Sequence, residues 1–327
     1  MKSNYQMRFW VAVATVLTIS LLGIQANSQG HAYKLTEGWV QLPQDLEWGQ
    51  LIGIEPDADG NIYAFHRCSA SDCVGSDVPP LLKFDKSGKH LMSLGAGMLV
   101  WPHGLDIDND GNIWITDGRS DSGRGQQVIK LSPAGDVLMT IGTAGVDGDG
   151  PYTFNGVADV LVADDGSVFV ADGHVNNRVV KYSADGEFIM EWGKAGSGQG
   201  EFNLPHALAM DSQGRLFVSD RENLRIQIFD QQGRYIDEWA QFGRVSGLSI
   251  DGNDTLYAAS QNEEAMPSIA TGIFVASAVD GSSIGFVPDI YSESVVADSS
   301  GAIYTGLRAH GGEPQVIPDA LRRIVRE

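Results

Sequence analysis

An all-β ring of six four-stranded blades, a six-bladed β-propeller, is the architecture this sequence predicts, and three observations carry it. A unit of apolar alternating strand, Asp/Asn/Gly turn and second strand recurs six times: "LIGIEPDADGNIYAFHR", "GLDIDNDGNIWITDGR", "DVLVADDGSVFVADGH", "ALAMDSQGRLFVSDRE", "GLSIDGNDTLYAASQN" and "SVVADSSGAIYTGLRA". The turn residues Gly60, Gly111, Gly166, Gly214, Asp254 and Gly301 recur at roughly 40 to 55 residues, the span of one propeller blade. The 40 glycines fall largely at turns rather than in low-complexity runs, so they punctuate short strands.

Taken in order, the chain opens on an address. Lys2 and Arg8 precede an apolar run from Phe9 to Ile24, and Ala26-Asn27-Ser28 offers small residues to a signal peptidase. Residues 1–28 are therefore expected to be a cleaved leader and residues 29–327 a single propeller, secreted or periplasmic. The alternative, an uncleaved anchor, is disfavoured because the run is short for a full span and contains Thr15 and Thr18. "GWVQLP" then reads as an unpaired strand ahead of the first unit. Within a unit, a stretch such as "RVVKYSADGEFIMEWG" supplies the outer hairpin. The last unit ends in "LRRIVRE" and lacks an outer strand, so pairing of the two termini closes the ring and removes exposed edges.

Net charge is −20, which argues against nucleic acid as a partner, because phosphate binding needs a basic surface. After leader removal no segment is expected to enter a membrane, and the propeller is expected to be monomeric. Cys68 and Cys73 are the only cysteines. In an oxidising compartment they read as a disulfide closing a small loop; a two-thiol metal site is the alternative, with no second ligand pair nearby.

The innermost strand of each blade lines the channel, so equivalent positions converge around the axis. Eight residues before each turn residue stand Ile52, His103, Ala158, His206, Ser246 and Glu293. Two imidazoles and a carboxylate on alternate blades suit three-point capture of zinc or non-haem iron(II). The bland reading is that each histidine is a hydrogen-bonded polar residue beside a channel. Seven residues after the turn come Arg67, Gly118, Gly173, Arg221, Gln261 and Arg308. Arg67 and Arg221 face each other across the ring and fit a clamp for a carboxylate; paired surface arginines are the alternative. One position further on are Cys68, Arg119, His174, Glu222, Asn262 and Ala309. His174 is a candidate proton-transfer group, or else a loop histidine with a structural hydrogen bond.

The repeat resembles the NHL-type blade. The strings "FHR" at Phe65 to Arg67, "PHGLDID" at Pro102 to Asp108, "VFVADGHVNNRVVKYSADGEFIMEWG", "GEFNLPHALAM" and "SDRENLRIQIFD" resemble the peptidyl-α-hydroxyglycine α-amidating lyase family. That resemblance implies a channel zinc held by three histidines, of which His103 and His206 match two, and substrate-binding arginines, which Arg67 and Arg221 match. It further implies cleavage of a C–N bond in a carboxylate-bearing peptide or small molecule, releasing an amide and glyoxylate. Three positions depart from the family. Glu293 stands where the third zinc histidine is expected, Ser294 replaces a calcium-binding aspartate, and His174 replaces a catalytic tyrosine. The family's calcium would keep only the backbone carbonyls of Ile54 and Leu105. A metal-dependent hydrolase or lyase acting on another substrate, or a non-catalytic binding propeller, are the rival readings.

Overall fold

The computed structural model describes residues 33–36, 38–69, 71–262, 268–307 and 320–327. The leader expected at residues 1–28 lies outside them, as does Arg308. Among the described residues twenty-four strands form six four-stranded antiparallel sheets, arranged as the repeat predicts. Blade one runs Leu51–Pro56, Ile62–His66, Leu81–Phe84 and His90–Leu94 from the axis outward, and blade two runs Pro102–Ile107, Ile113–Asp117, Gln127–Leu131 and Val137–Ile141. Blades three, four and five begin at the axis with Val157–Val162, Pro205–Met210 and Val245–Ile250. Blade six has Val295–Ala297, Ile303–Gly306 and Leu321–Arg326 from the C-terminal part, and Tyr33–Thr36 as its outermost strand.

Ring closure by the termini is thus observed, with Tyr33 opposite Arg326 and Thr36 opposite Arg323. The closing strand differs from the one expected. "GWVQLP" forms no strand of the ring: Gln41 makes one isolated bridge to Lys89, while Trp39 is buried against Phe84 and Tyr304. Its tryptophan serves as a plug between the first and last blades. "YKLT" carries the alternation that pairs.

The turn chemistry explains the period. In blade one Gly60 N–H donates to the Asp57 carbonyl at 2.8 Å, and the Asp57 carboxylate accepts from the Asn61 backbone and side chain. The turn residue must take a left-handed conformation, and φ is +76° at Gly60, +79° at Gly111 and +80° at Gly166. Asp254 occupies the same position in blade five with φ of 56°, a conformation aspartate tolerates better than most side chains.

Each sheet is covered on both faces by its neighbours, so the second strands of blades one to four are buried at every position. Apolar clusters bridge successive blades. Trp114, Val128, Phe154 and Tyr182 join blades two and three, and Phe169, Phe202, Leu208 and Phe229 join three and four. Outer strands such as Phe188–Trp192 alternate between half-buried and exposed residues instead. Stacked blades hold the axial positions rigidly, which a cluster of ligands on separate strands requires.

Candidate active site

The axial histidines owe their aim to a repeated irregularity. In five blades the ladder between the first and second strands slips at its start: Leu51/Gly53, Pro102/Leu105, Val157/Asp159, Pro205/Leu208 and Val245/Gly247. His103 and His206 sit inside two of these bulges. A bulged residue leaves the ladder and redirects its side chain, which accounts for ligands at the strand mouth.

A carboxylate at the end of the second strand braces that mouth. Asp117 accepts from the Val100 and Trp101 backbone N–H groups at 2.9 and 2.5 Å, directly ahead of His103. Asp220 accepts from Asn203 N–H at 2.7 Å, ahead of His206, and is held by Arg225 at 2.8 Å. Burial pushes the Asp117 carboxyl up to about 6. Thr116 adds a bridge between blades, accepting from Gly104 N–H at 2.6 Å and donating to the Ala158 carbonyl at 3.2 Å.

His103, His174 and His206 converge. One ring nitrogen from each falls within 4.8 Å of the others, and among the described residues no other trio of His, Cys, Asp or Glu is gathered this closely. His103 Nε2 and His174 Nε2 are 3.0 Å apart. The His206 ring bonds the Ser246 carbonyl through Nδ1 at 2.7 Å, which assigns its proton to that nitrogen and leaves the Nε2 lone pair facing the cluster. That Nε2 is buried and makes no hydrogen bond. Burial, above all, keeps the three rings neutral: His103 and His206 are held well below the usual imidazole range, and His174 is lowered to about 3, with Arg221 adding to the depression in each case. Three neutral imidazoles with one orphaned nitrogen fit a divalent ion, since metal–nitrogen bonds near 2.0–2.1 Å place tetrahedral ligand atoms about 3.3 Å apart.

Glu293 stands beside this cluster. Its Oε2 lies 3.8 Å from His206 Nε2 and 3.7 Å from Arg221 Nη1, and the side chain is only 7% exposed. Arg221 opens the short 3-10 turn Arg221–Asn223 and also reaches Glu222 at 3.2 Å, which Arg244 in turn holds at 2.6 Å. Arg67 is buried, donates to Gln50 and to the Pro102 carbonyl, and stacks on Trp101 with its guanidinium carbon 4.1 Å from the ring centroid. Trp101 also packs against His103 and His174, at centroid distances of 4.8 and 5.0 Å.

Sequence spacing therefore places His103, His206 and Glu293 within one site, with Arg221 alongside. The structure adds His174 to the two histidines as the third clustered nitrogen donor. Trp101, the surface on which Arg67 and two histidines rest, drew no attention from the spacing; its position two residues before His103 is the only signal the sequence offered. A cavity of ≈ 720 Å³ runs along the axis from His103, His206 and Glu293 to the turns bearing Asp165, Gln213 and Asp251. Ile54 and Leu105 line it, and Ser294 offers a hydroxyl with no hydrogen bond. Cys68 and Cys73 form a disulfide immediately after Arg67.

Residues 202–229 match the family model described as NHL repeat. Human NHL repeat-containing protein 3 is 30% identical over 260 residues, covering 71% of this chain and 72% of that protein. A probable peptidyl-alpha-hydroxyglycine alpha-amidating lyase of Caenorhabditis elegans is 32% identical over 201 residues, covering 56% of each. The chain belongs to the NHL-repeat propeller family that contains the peptidyl-α-hydroxyglycine α-amidating lyases. This NHL-repeat propeller is also 34% identical over 260 residues to peptidyl-glycine alpha-amidating monooxygenase A of Xenopus laevis, where the match covers 67% of the chain but 26% of the relative. A gluconolactonase from Xanthomonas campestris superposes with a TM-score of 0.60 at 16% identity, over 86% of this chain and 87% of that one. At that identity the propeller fold is what the two share.

Proposed function

We propose that this propeller is a divalent-metal-dependent carbon–nitrogen lyase that cleaves an N-acyl-α-hydroxyglycine to an amide and glyoxylate. The observation that carries the reading is the trio of neutral imidazoles, one with an orphaned buried nitrogen, set beside Arg221 and Glu293, with Arg67 on the indole that His103 and His174 touch. His103, His174 and His206 would hold the ion; a nitrogen-rich set of this kind suits zinc or iron(II). When bound, such an ion supplies Lewis acidity toward a hydroxyl oxygen.

The chain's own residues supply the rest. Arg67 and Arg221 present forked donors to the glyoxylate carboxylate, and their charge favours the negative charge that develops as the C–N bond breaks. Arg67 is fixed for this by Gln50 and by the indole of Trp101, so little rotamer freedom is lost on binding. Glu293 takes the hydroxyl proton as the C–O bond becomes a carbonyl. The electron pair of the breaking C–N bond goes to nitrogen, and the proton is returned there, giving the neutral amide. The Cys68–Cys73 disulfide fits an oxidising compartment. A calcium ion on the Ile54 and Leu105 carbonyls would find Ser294 in place of a carboxylate, and no step of this reading depends on it.

The 3.8 Å approach of Glu293 to His206 favours a second assignment within the same reaction, in which Glu293 is the third ligand and His174 moves the proton. The two differ in what each variant retains. With His174 as ligand, His174→Ala loses bound metal and Glu293→Gln keeps it while losing turnover; with Glu293 as ligand the two results exchange. Purified, metal-counted protein incubated with α-hydroxyhippurate is expected to release glyoxylate. Absence of glyoxylate from metal-replete protein overturns the lyase reading.

A further inference from the structure

Arg119 is a rim cation that the reaction above leaves without a task. It follows the second strand of blade two, is exposed, and places its guanidinium carbon 4.2 Å from the centroid of Trp101, the ring that also carries Arg67. One indole thus holds two guanidiniums and touches His103 and His174. Burial separates the two arginines: Arg67 is 9% exposed and turned into the site, whereas Arg119 stands at its solvent edge.

Charge pairing separates Arg119 from six other arginines of the ring. Arg178, Arg215, Arg221, Arg225, Arg234 and Arg244 each have a carboxylate within ion-pair distance. Among the described ion pairs none involves Arg119, although the chain carries 42 acidic residues against 22 basic ones. Stacking on the indole fixes the guanidinium plane and leaves its edge donors to solvent. The backbone is fixed as well. The loop closes through the paired Asp121 and Arg124, Arg124 donates to the Gly97 carbonyl at 3.0 Å, and Gly125, with φ of +82°, lies so close that a Cβ there would come within 1.8 Å of the Arg119 carbonyl oxygen. A cation held in place without a protein anion keeps its edge donors available to an anionic ligand.

We infer that Arg119 is a specificity-determining residue that takes a second anionic group of the substrate, on the acyl side of the scissile bond. This rests on the lyase reading for the placement of the first carboxylate on Arg67 and Arg221. The portion of substrate that projects past the buried Arg67 toward solvent is then the acyl portion, and an acid on it meets Arg119. The substrate class is an N-acyl-α-hydroxyglycine whose acyl group bears a carboxylate, such as an acidic peptide end or a dicarboxylic half-amide.

The experiment compares kcat/KM for N-succinyl-α-hydroxyglycine and α-hydroxyhippurate in wild type, Arg119→Ala and Arg119→Lys, with calorimetric binding of the unreactive N-succinylglycine and hippurate to the same metal-loaded proteins. Wild type is expected to favour the acidic acyl group. Arg119→Ala is expected to lower the acidic-to-neutral ratio by about ten- to hundredfold, the range of a charge-assisted hydrogen bond, through KM, with Arg119→Lys retaining part of the preference. Equal losses on both substrates, or an unchanged ratio, overturn the inference. If neither substrate turns over, the lyase reading fails by itself. The binding arm then decides: tighter N-succinylglycine binding that Arg119→Ala removes sustains the anion site, and equal affinities, or no binding, overturn it.

Discussion

Replacing His206 with alanine separates two effects that the structure sets against each other. In the metal-free chain the imidazole is nearly fully buried, donates through Nδ1 to the Ser246 carbonyl at 2.7 Å, and carries an Nε2 with no hydrogen bond. His206→Ala strands the Ser246 carbonyl, which costs about 1–3 kcal/mol, but it also removes the orphaned nitrogen, a partial offset. The expected change in the metal-free protein is therefore modest, about 1–2 kcal/mol, or roughly 2–4 °C in Tm for a chain of this size. The metal-loaded protein behaves otherwise. A ligand at a hundredfold over its Kd stabilises by about 2.7 kcal/mol, roughly 5 °C, and the variant loses this increment with one of three donors gone. Scanning calorimetry with and without chelator, beside a metal count after dialysis, reads both quantities. A variant that keeps both wild-type metal stoichiometry and the metal-dependent rise in Tm would refute the assignment of Nε2 as a ligand. A wild type that shows neither would refute the metal centre itself.

Three further outcomes follow from particular contacts. Asp220→Ala removes the acceptor for Arg225, Asn223, Gln227 and the Asn203 backbone, leaving the guanidinium with the more exposed Glu238 as its remaining carboxylate partner. Urea unfolding is expected to show a loss of about 3–5 kcal/mol, and metal affinity should fall as well because the braced segment leads into His206. Phe154→Ala, at a fully buried position between blades two and three, is expected to cost about 3–5 kcal/mol, read by the same assay as a lower midpoint at unchanged slope. His66 is a buried structural histidine, bonded by Gly49 N–H at 3.1 Å and lowered to about 4, chiefly by burial. The folded chain keeps it neutral while the unfolded chain protonates it near 6.5, so its contribution is complete above that pH. It is lost as pH falls from 6.5 toward 4, roughly 3 kcal/mol in all. The difference between wild type and His66→Gln, measured in chelated protein at pH 7.5 and 4.5, should shrink at the lower pH; a constant difference contradicts this.

Much of the ring was legible because its signals are local and periodic. The turn needs a left-handed residue, repeated six times and closed on an aspartate carbonyl in all blades but the third, where Ala163 stands, and that requirement marks each blade in the sequence, Asp254 included. The same bookkeeping located His103 and His206, since a position counted from the turn stays at one height along the axis. It failed where periodicity carries no information. "GWVQLP" was the closing strand the sequence suggested, whereas Trp39 packs against Phe84 and Tyr304 and it is Tyr33–Thr36 that closes the ring.

The site divides along the same line. By itself the sequence determined which inner strands bear imidazole or carboxylate and that Arg67 and Arg221 follow the second strands of blades one and four. Only the tertiary structure decided that His174, on a loop after the second strand of blade three, swings between His103 and His206 on the flanking blades to within 3.0 Å of the first. Loop paths obey the packing of the neighbouring blades rather than the repeat, so a count from the turn places a loop residue on the rim but cannot aim its side chain. The same holds for Trp101, whose ring seats Arg67, Arg119 and two histidines: a tryptophan in a repeat reads as core until its neighbours are known.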